Sequence, residues 1–264
     1  MAKVNILKTK WFIILVSVAL VALTVGLSVG LTASYWSDEG GGDTAVAPSG
    51  TTYNWNAYAK YFIYSAYDSS DNLISSNFHD GGTLTSSPSY FICTGLDNSS
   101  TLLGDVIFPD NVNYKIGGTP GYAPLRRINN TIFNKDSYNE VPTKVVISPY
   151  VTRVEPSTFA NLPNLREVVI GAQTSTDTRV VELGIGCFSN CATLEKVSCE
   201  GQIEVWMEDN AFLGCLKLST VDRGNGVLKY RDISTSTSTT LNSSTAVSVF
   251  NKVFGACPEL TIPF

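Results

Sequence analysis

The chain has 264 residues, 18 Lys and Arg against 23 Asp and Glu, a net charge of −5 and a single histidine, His79. An acidic balance with no basic run beyond the first ten residues argues against a nucleic-acid partner, and one imidazole excludes any metal site built on two. Hydrophobic residues, 44% of the chain, are enough for a core, and the length allows one or two domains.

Residues 1–11 form a basic tail carrying Lys3, Lys8 and Lys10 with no acid among them. Phe12 to Ala33 comes next without a charge, 22 residues long, and a helix needs about 20 to cross a hydrocarbon core. Trp11 on one side and Tyr35 and Trp36 on the other stand where aromatic belts are expected. The expectation is a transmembrane signal anchor over 12–34, with its basic flank in the cytoplasm and the remainder outside the cell. A cleaved signal peptide ending at Gly30 or Ala33 is the competing reading, although its apolar region normally spans only about 7–15 residues. Either reading exports the rest of the chain. Removing the three leading lysines leaves 15 basic against 23 acidic residues, a net of −8 outside.

Residues 35–50, with Gly40, Gly41 and Gly42, read as a flexible linker. Residues 51–101 are rich in aromatics (Tyr53, Trp55, Tyr58, Tyr61, Phe62, Tyr64, Tyr67), and alternation over Lys60–Tyr67 suits short strands. They are expected to form a β-rich amino-terminal cap on the second half of the chain, or a small separate β-domain.

From about residue 102 the chain repeats. Around Phe159 stand Val151, Val154, Leu162, Leu165, Val168 and Ile170; around Phe188, Val180, Leu183, Cys191, Leu194, Val197 and Cys199. Phe212 has Met207, Cys215, Leu218 and Val221; Phe254 has Val249, Cys257 and Leu260; a weaker copy holds Phe133 with Leu125 and Ile128. The shared pattern is Val-x2-Ile-x4-Phe-x2-Cys-x2-Leu-x2-Val. Successive phenylalanines are 26, 29, 24 and 42 residues apart. Against a pitch of 24, the extra residues fall on the polar Gln173–Thr178 and on a Ser/Thr-rich insertion at 231–248. Insertions that are polar while the framework stays apolar are how solenoid loops behave.

This motif, with Pro109–Val112 following Val106, Ile107 and Phe108, resembles the BspA-like leucine-rich repeats, clearly over 125–264 and weakly over 102–124. The expected fold is a leucine-rich-repeat solenoid over 102–264, with short parallel strands and irregular or short helical returns. Its core is expected to stack Phe133, Phe159, Phe188, Phe212 and Phe254, flanked by Leu165, Leu194 and Leu218 and by Cys191, Cys215 and Cys257. The chain stops at Phe264 with no capping unit in view, so the last strand edge is exposed or the chain is a shortened member of its family.

Candidates for chemistry each have a plainer explanation. Cys191, Cys215 and Cys257 share one repeat offset, Cys187 precedes Phe188, and Cys199 matches Ile170. Thiols packed as small hydrophobes explain these positions; a bridge between neighbouring turns is the sharper alternative in an exported protein. Zinc on Cys187, Cys191 and Cys199 is disfavoured because repeat register already accounts for them. His79–Asp80 precedes Gly81–Gly82 and reads as a turn, with no nucleophile elbow to complete a triad. Glu208–Asp209 reads as a solvated turn. Sequons at Asn98, Asn129 and Asn242 matter only in a glycosylating host. No catalytic residue, cofactor or metal is expected.

The remaining candidate is a strand face presenting Glu167 and Val169, then Lys196 and Ser198, then Thr220 and Asp222, with an ordinary solvated face as the plainer reading. The resemblance implies a surface molecule that contacts proteins of a host or a neighbouring cell. The expected function is therefore non-enzymatic binding or adhesion, to an extracellular protein or glycan. A structural envelope protein without an external ligand is the alternative. A membrane-tethered hydrolase using residues 44–101 is a weaker third.

Overall fold

In the computed structural model, the described residues are 45–46, 52–53, 55–97, 104–133, 142–171 and 179–261. The span expected over 12–34 and the tail over 1–11 lie outside them, as does most of the linker. Among the described residues no helix is long and apolar enough to cross a membrane.

Two sheets share one core. The smaller is parallel and runs, in spatial order, β16 (Thr220–Asp222), β14 (Lys196–Cys199), β12 (Glu167–Ile170), β10 (Lys144–Ile147) and β7 (Asp105–Ile107). These are the segments in which β-branched residues cluster, and such residues suit a pleated surface buried on at least one face. In the larger sheet β9 (Thr119–Ile128), β11 (Arg153–Val154), β13 (Arg179–Leu183), β15 (Ile203–Met207) and β17 (Val227–Asp232) succeed one another in parallel. Inward rows from both sheets, such as Val168 and Ile170 from one and Val181 and Leu183 from the other, join a single buried cluster.

The second strand in each coil departs from the expected irregular or helical return. The repeat offsets pair Val180 with Leu183, a spacing of three that hides a period of two. In the structure Val181 and Leu183 point inward, both fully buried, and Val180 faces outward. The one α-helix among the described residues that follows a coil strand is α1 (Val247–Phe254), which buries Phe250, Val253 and Phe254.

The expected column of rings is present. Centroids lie 5.6 Å apart for Phe133–Phe159, 5.0 Å for Phe159–Phe188, 5.2 Å for Phe188–Phe212 and 5.5 Å for Phe212–Phe254. The middle pairs are nearly parallel, at 13° and 3°. Leu165, Leu194 and Leu218 are fully buried beside them. At this corner the backbone carries a third ladder. Ser157, Phe159 and Asn161 donate their amides to the carbonyls of Ile185, Cys187 and Ser189 in the next coil, at 2.9, 2.8 and 2.8 Å. Ser157 and Asn161 take the left-handed backbone, as do Gly186 and Asn190 two residues either side of Phe188. Gly184 answers a different demand: a Cβ there would lie 2.6 Å from the backbone nitrogen of Pro156, so only glycine lets the coils close.

The amino-terminal strands belong to the same body. β3 (Phe62–Tyr67) pairs antiparallel with β4 (Leu73–Phe78) and β6 (Tyr90–Leu96), and β6 pairs in parallel with β9. β8 (Asn111–Ile116) turns back antiparallel onto β9 and takes the short β5 (Gly82–Thr83) on its other edge, while β1 (Ala45–Val46) and β2 (Thr52–Tyr53) pair with each other. Phe62 stacks on Phe108 at 4.9 Å, and Phe108 meets Phe159 edge-on at 5.7 Å, so the aromatic column runs unbroken from these strands into the coils. At the other end the Ser/Thr-rich insertion is a hairpin instead of a plain loop. β18 (Thr237–Thr240) turns back antiparallel onto β17 with all four side chains exposed.

Candidate functional site

The row expected on the smaller sheet is in register but only partly open. Glu167 lies opposite Lys196 and Lys196 opposite Thr220, while Val169, Ser198 and Asp222 form the parallel row. Val169 is 2% and Ser198 8% exposed. Val169 belongs to a small apolar cluster with Ile107 and Val146, against which Tyr58 packs. The accessible members of the expected set are therefore Glu167, Lys196, Thr220 and Asp222, and Glu167 is engaged by Lys144 at 3.0 Å.

The richer surface is the outer face of the larger sheet. Cross-strand register sets Arg127, Arg153, Glu182, Trp206 and Lys229 side by side on five successive strands. The arrangement begins with a bulge. Leu125 and Ile128 both point inward and are fully buried, and β9 gains one residue against β6 between Leu125 and Arg127. A bulge re-aims side chains; here it turns both Arg126 and Arg127 to the outer face.

Ion pairs knit the row together. Arg127 donates to Glu155, Arg153 reaches Glu182 at 2.7 Å and Glu208 at 3.1 Å, and Arg231 donates to Glu182. Burial works against the charge on Arg153, yet hydrogen bonds to Glu208 and Glu182 outweigh it and raise its pKa. Glu208 is 2% exposed, and its second oxygen accepts the Ile185 amide at 3.1 Å. The expectation of a solvated Glu208–Asp209 turn is thus wrong at Glu208, because Arg153 two coils away compensates the buried carboxylate. Further along, the Trp206 indole N–H donates to Glu204 at 2.9 Å and Lys229 donates to the same oxygen at 2.8 Å. Lys229 and Arg231 stand 5.5 and 5.4 Å from the Trp206 ring centre, within cation–π range. The Lys229 and Trp206 hydrogen bonds hold the Glu204 carboxyl below its ordinary pKa.

Between the first strands of this face opens a cavity of about 490 Å3, lined by Arg126, Arg127, Thr152, Arg153, Arg179, Val180 and Glu182. Arg179 lies over the Tyr150 ring at 4.3 Å. Sequence reasoning does not anticipate this cluster, though a signal exists: Arg127, Arg153, Glu182 and Trp206 each stand six residues before a column phenylalanine.

The remaining candidates are structural. All six cysteines are free thiols, so no bridge joins neighbouring turns. Cys191, Cys215 and Cys257 donate to the carbonyls of Phe159, Phe188 and Phe212 at 3.0, 3.2 and 3.1 Å, so each closes a coil with a hydrogen bond as well as by packing. Burial pushes the Cys191 and Cys199 thiols up to about 12. Cys215 and Cys257 titrate as a pair: Cys215 is raised by its neighbour Cys257 and by burial, because its S–H would stabilise a Cys257 thiolate, and Cys257 is lowered. Among the described residues no three His, Cys, Asp or Glu converge as a metal site would require. His79 meets Asp97 at 3.0 Å with both side chains largely exposed, and Asp80 instead accepts the Asn113 amide at 2.7 Å. Asn129 and Asn242 sit in side-chain-capped turns, and Asn98 lies outside the described residues.

Parallel strands stacked coil on coil around a column of rings define a leucine-rich-repeat solenoid. Residues 126–261 match the BspA type leucine rich repeat region in six copies, just over half of the chain, and the chain belongs to that family. In part it is similar to the structure of a leucine rich cell surface protein from Faecalibacterium prausnitzii, with 17% identity over 55% of each chain and a TM-score of 0.27. A leucine-rich repeat protein from Bacteroides ovatus gives 15% identity over 56% of this chain and 52% of that one, with a TM-score of 0.26. The match thus spans about half the length of either protein. No curated protein matches significantly.

Proposed function

We propose that the chain is a non-enzymatic adhesion module that binds a protein or glycan outside the cell. On this reading residues 12–34 hold it at the membrane with the amino terminus inside. The observation that carries the proposal is the row from Arg127 to Lys229, five strands of charged and aromatic side chains on one sheet face. Parallel strands about 4.8 Å apart spread such a row over roughly 20 Å, the reach of a recognition surface and more than a single reactive centre needs. Membership of a repeat-scaffold family supports the same reading.

The test is capture of the full chain on arrays of extracellular-matrix proteins and glycans. Two variants divide the surface: Arg126→Glu with Lys229→Glu on the larger sheet, and Lys196→Ala, Thr220→Ala and Asp222→Ala on the smaller. The expected result is loss of capture in the first variant alone, with a melting temperature lowered by the lost Lys229–Glu204 pair but a melt that stays cooperative. Capture indifferent to both variants would overturn the proposal.

A further inference from the structure

The cavity at the head of the row has a composition that selects its occupant. Four guanidinium groups, from Arg126, Arg127, Arg153 and Arg179, line it in a chain whose net charge is −5. They are not equivalent. Arg153 is held by Glu155, Glu182 and Glu208, and Arg127 by Glu155. Arg126, half-buried, makes no ion pair among the described residues, and Arg179 is braced by the Tyr150 ring beneath it. Arg126 and Arg179 stand on different strands and line one space, with Thr152 and Val180 completing the wall. Two guanidinium groups on rigid strands suit the bidentate capture of one planar or tetrahedral oxyanion.

The surroundings decide what carries that oxyanion. Glu182 lines the same cavity, Glu155 borders it, and Glu204 lies along the row beside Trp206. A polymer with a charge on every unit, such as an acidic peptide or a phosphate backbone, would set its next anions against these carboxylates. A ligand with isolated anions separated by hydroxyl groups meets the opposite situation, because each carboxylate then accepts a hydroxyl hydrogen bond. Aromatic side chains stand on the same strands and loops: Tyr150 under Arg179, and Tyr122, 59% exposed, on β9 four residues before Arg126. Such rings suit the apolar faces of sugars. The volume of about 490 Å3 lies within the range of small-ligand sites.

Resting on the reading of this face as a binding surface, we infer that the Arg126–Arg179 cavity binds an acidic polysaccharide through a carboxylate or sulfate on one sugar unit. The test uses the full chain with hyaluronate as the carboxylated probe and kappa-carrageenan as the sulfated one, each with its anion on alternate sugars, and dextran and poly-L-glutamate as controls. At least one acidic polysaccharide should bind about tenfold or more tightly than either control, as one charge-assisted contact warrants. Which probe binds identifies the oxyanion. Arg126→Glu should weaken that binding by about tenfold or more and Arg126→Lys by less, since an ammonium keeps the charge but loses the bidentate fork, both with wild-type melting.

Equal binding of poly-L-glutamate, binding indifferent to Arg126→Glu, or no binding to either acidic polysaccharide would overturn the inference. If the polysaccharides fail while array capture still depends on the larger sheet's face, the binding-face reading stands without this ligand. If capture is also indifferent, both fall.

Discussion

At the scale of single residues, the phenylalanine column and the thiols beside it play different parts. Phe188 is fully buried and stacks on a ring on each side. Truncating such a ring leaves a cavity the neighbouring coils cannot fill, at a cost of about 3–5 kcal/mol. Phe188→Ala is expected to lower the thermal midpoint sharply or abolish a cooperative melt, and calorimetry reads this directly. The cysteines make a second prediction. Cys93, Cys187, Cys191 and Cys199 are buried with raised thiol pKa values, whereas Cys257 is partly exposed with a lowered one. Since the thiolate is the reactive form, native alkylation should mark Cys257 first. Unfolding without reductant should then expose all six to modification, and a smaller mass gain would reveal a bridge.

Among the elements, the ion-pair network along the larger sheet ties β11 to β13 and to the turn after β15. Glu208 is the buried end of it. Arg153→Met would leave that carboxylate uncompensated and should cost up to about 3 kcal/mol, toward the low end for a buried pair because Arg153 is a quarter exposed. Combining it with Glu208→Gln should recover part of the loss, and urea midpoints for the four proteins test this coupling. Glu204 makes a pH prediction of determinate sign. Its folded pKa is depressed by Lys229 and Trp206, so its stabilisation is present above the unfolded value of 4.5 and is lost as pH falls through the lower folded value. Acidification should therefore narrow the stability gap between wild type and Glu204→Gln.

Strands β12, β14 and β16 are legible in the sequence because their apolar residues recur at fixed offsets. The companion strands are not, because Val180 and Leu183 keep a constant spacing in the pattern yet lie on opposite faces. The arginine cavity escapes for a related reason: it depends on a bulge that turns two adjacent residues the same way, and alternation alone would send them apart.

For the whole molecule, residues 42–264 form one compact unit in which the amino-terminal strands and the coils share a sheet and an aromatic core. Order along it should still be graded. Among the described residues β12 and β14 have a coil strand on each side, whereas β17 has one on one side and only the exposed β18 on the other. Hydrogen exchange should release amides of β17, β18 and α1 before those of β12 and β14, and uniform exchange would contradict the stacked picture. The repeat register and the ring column are readable from spacing, since they arise from contacts that recur, and the family from the motif's resemblance to known repeats. Which face would recognise a partner is not, because the row runs arginine, arginine, glutamate, tryptophan and lysine instead of repeating one residue type.

The ring column also bears on how such a chain can change in length. Phe159, Phe188 and Phe212 each touch the ring before and the ring after, at separations between 5.0 and 5.6 Å, so nothing in the interior counts how many there are. Duplicating the segment from Phe188 to Ala211 would hand every new ring the same two neighbours. Proteins made this way can gain or shed reach in whole increments, altering what they touch while their interiors need no redesign.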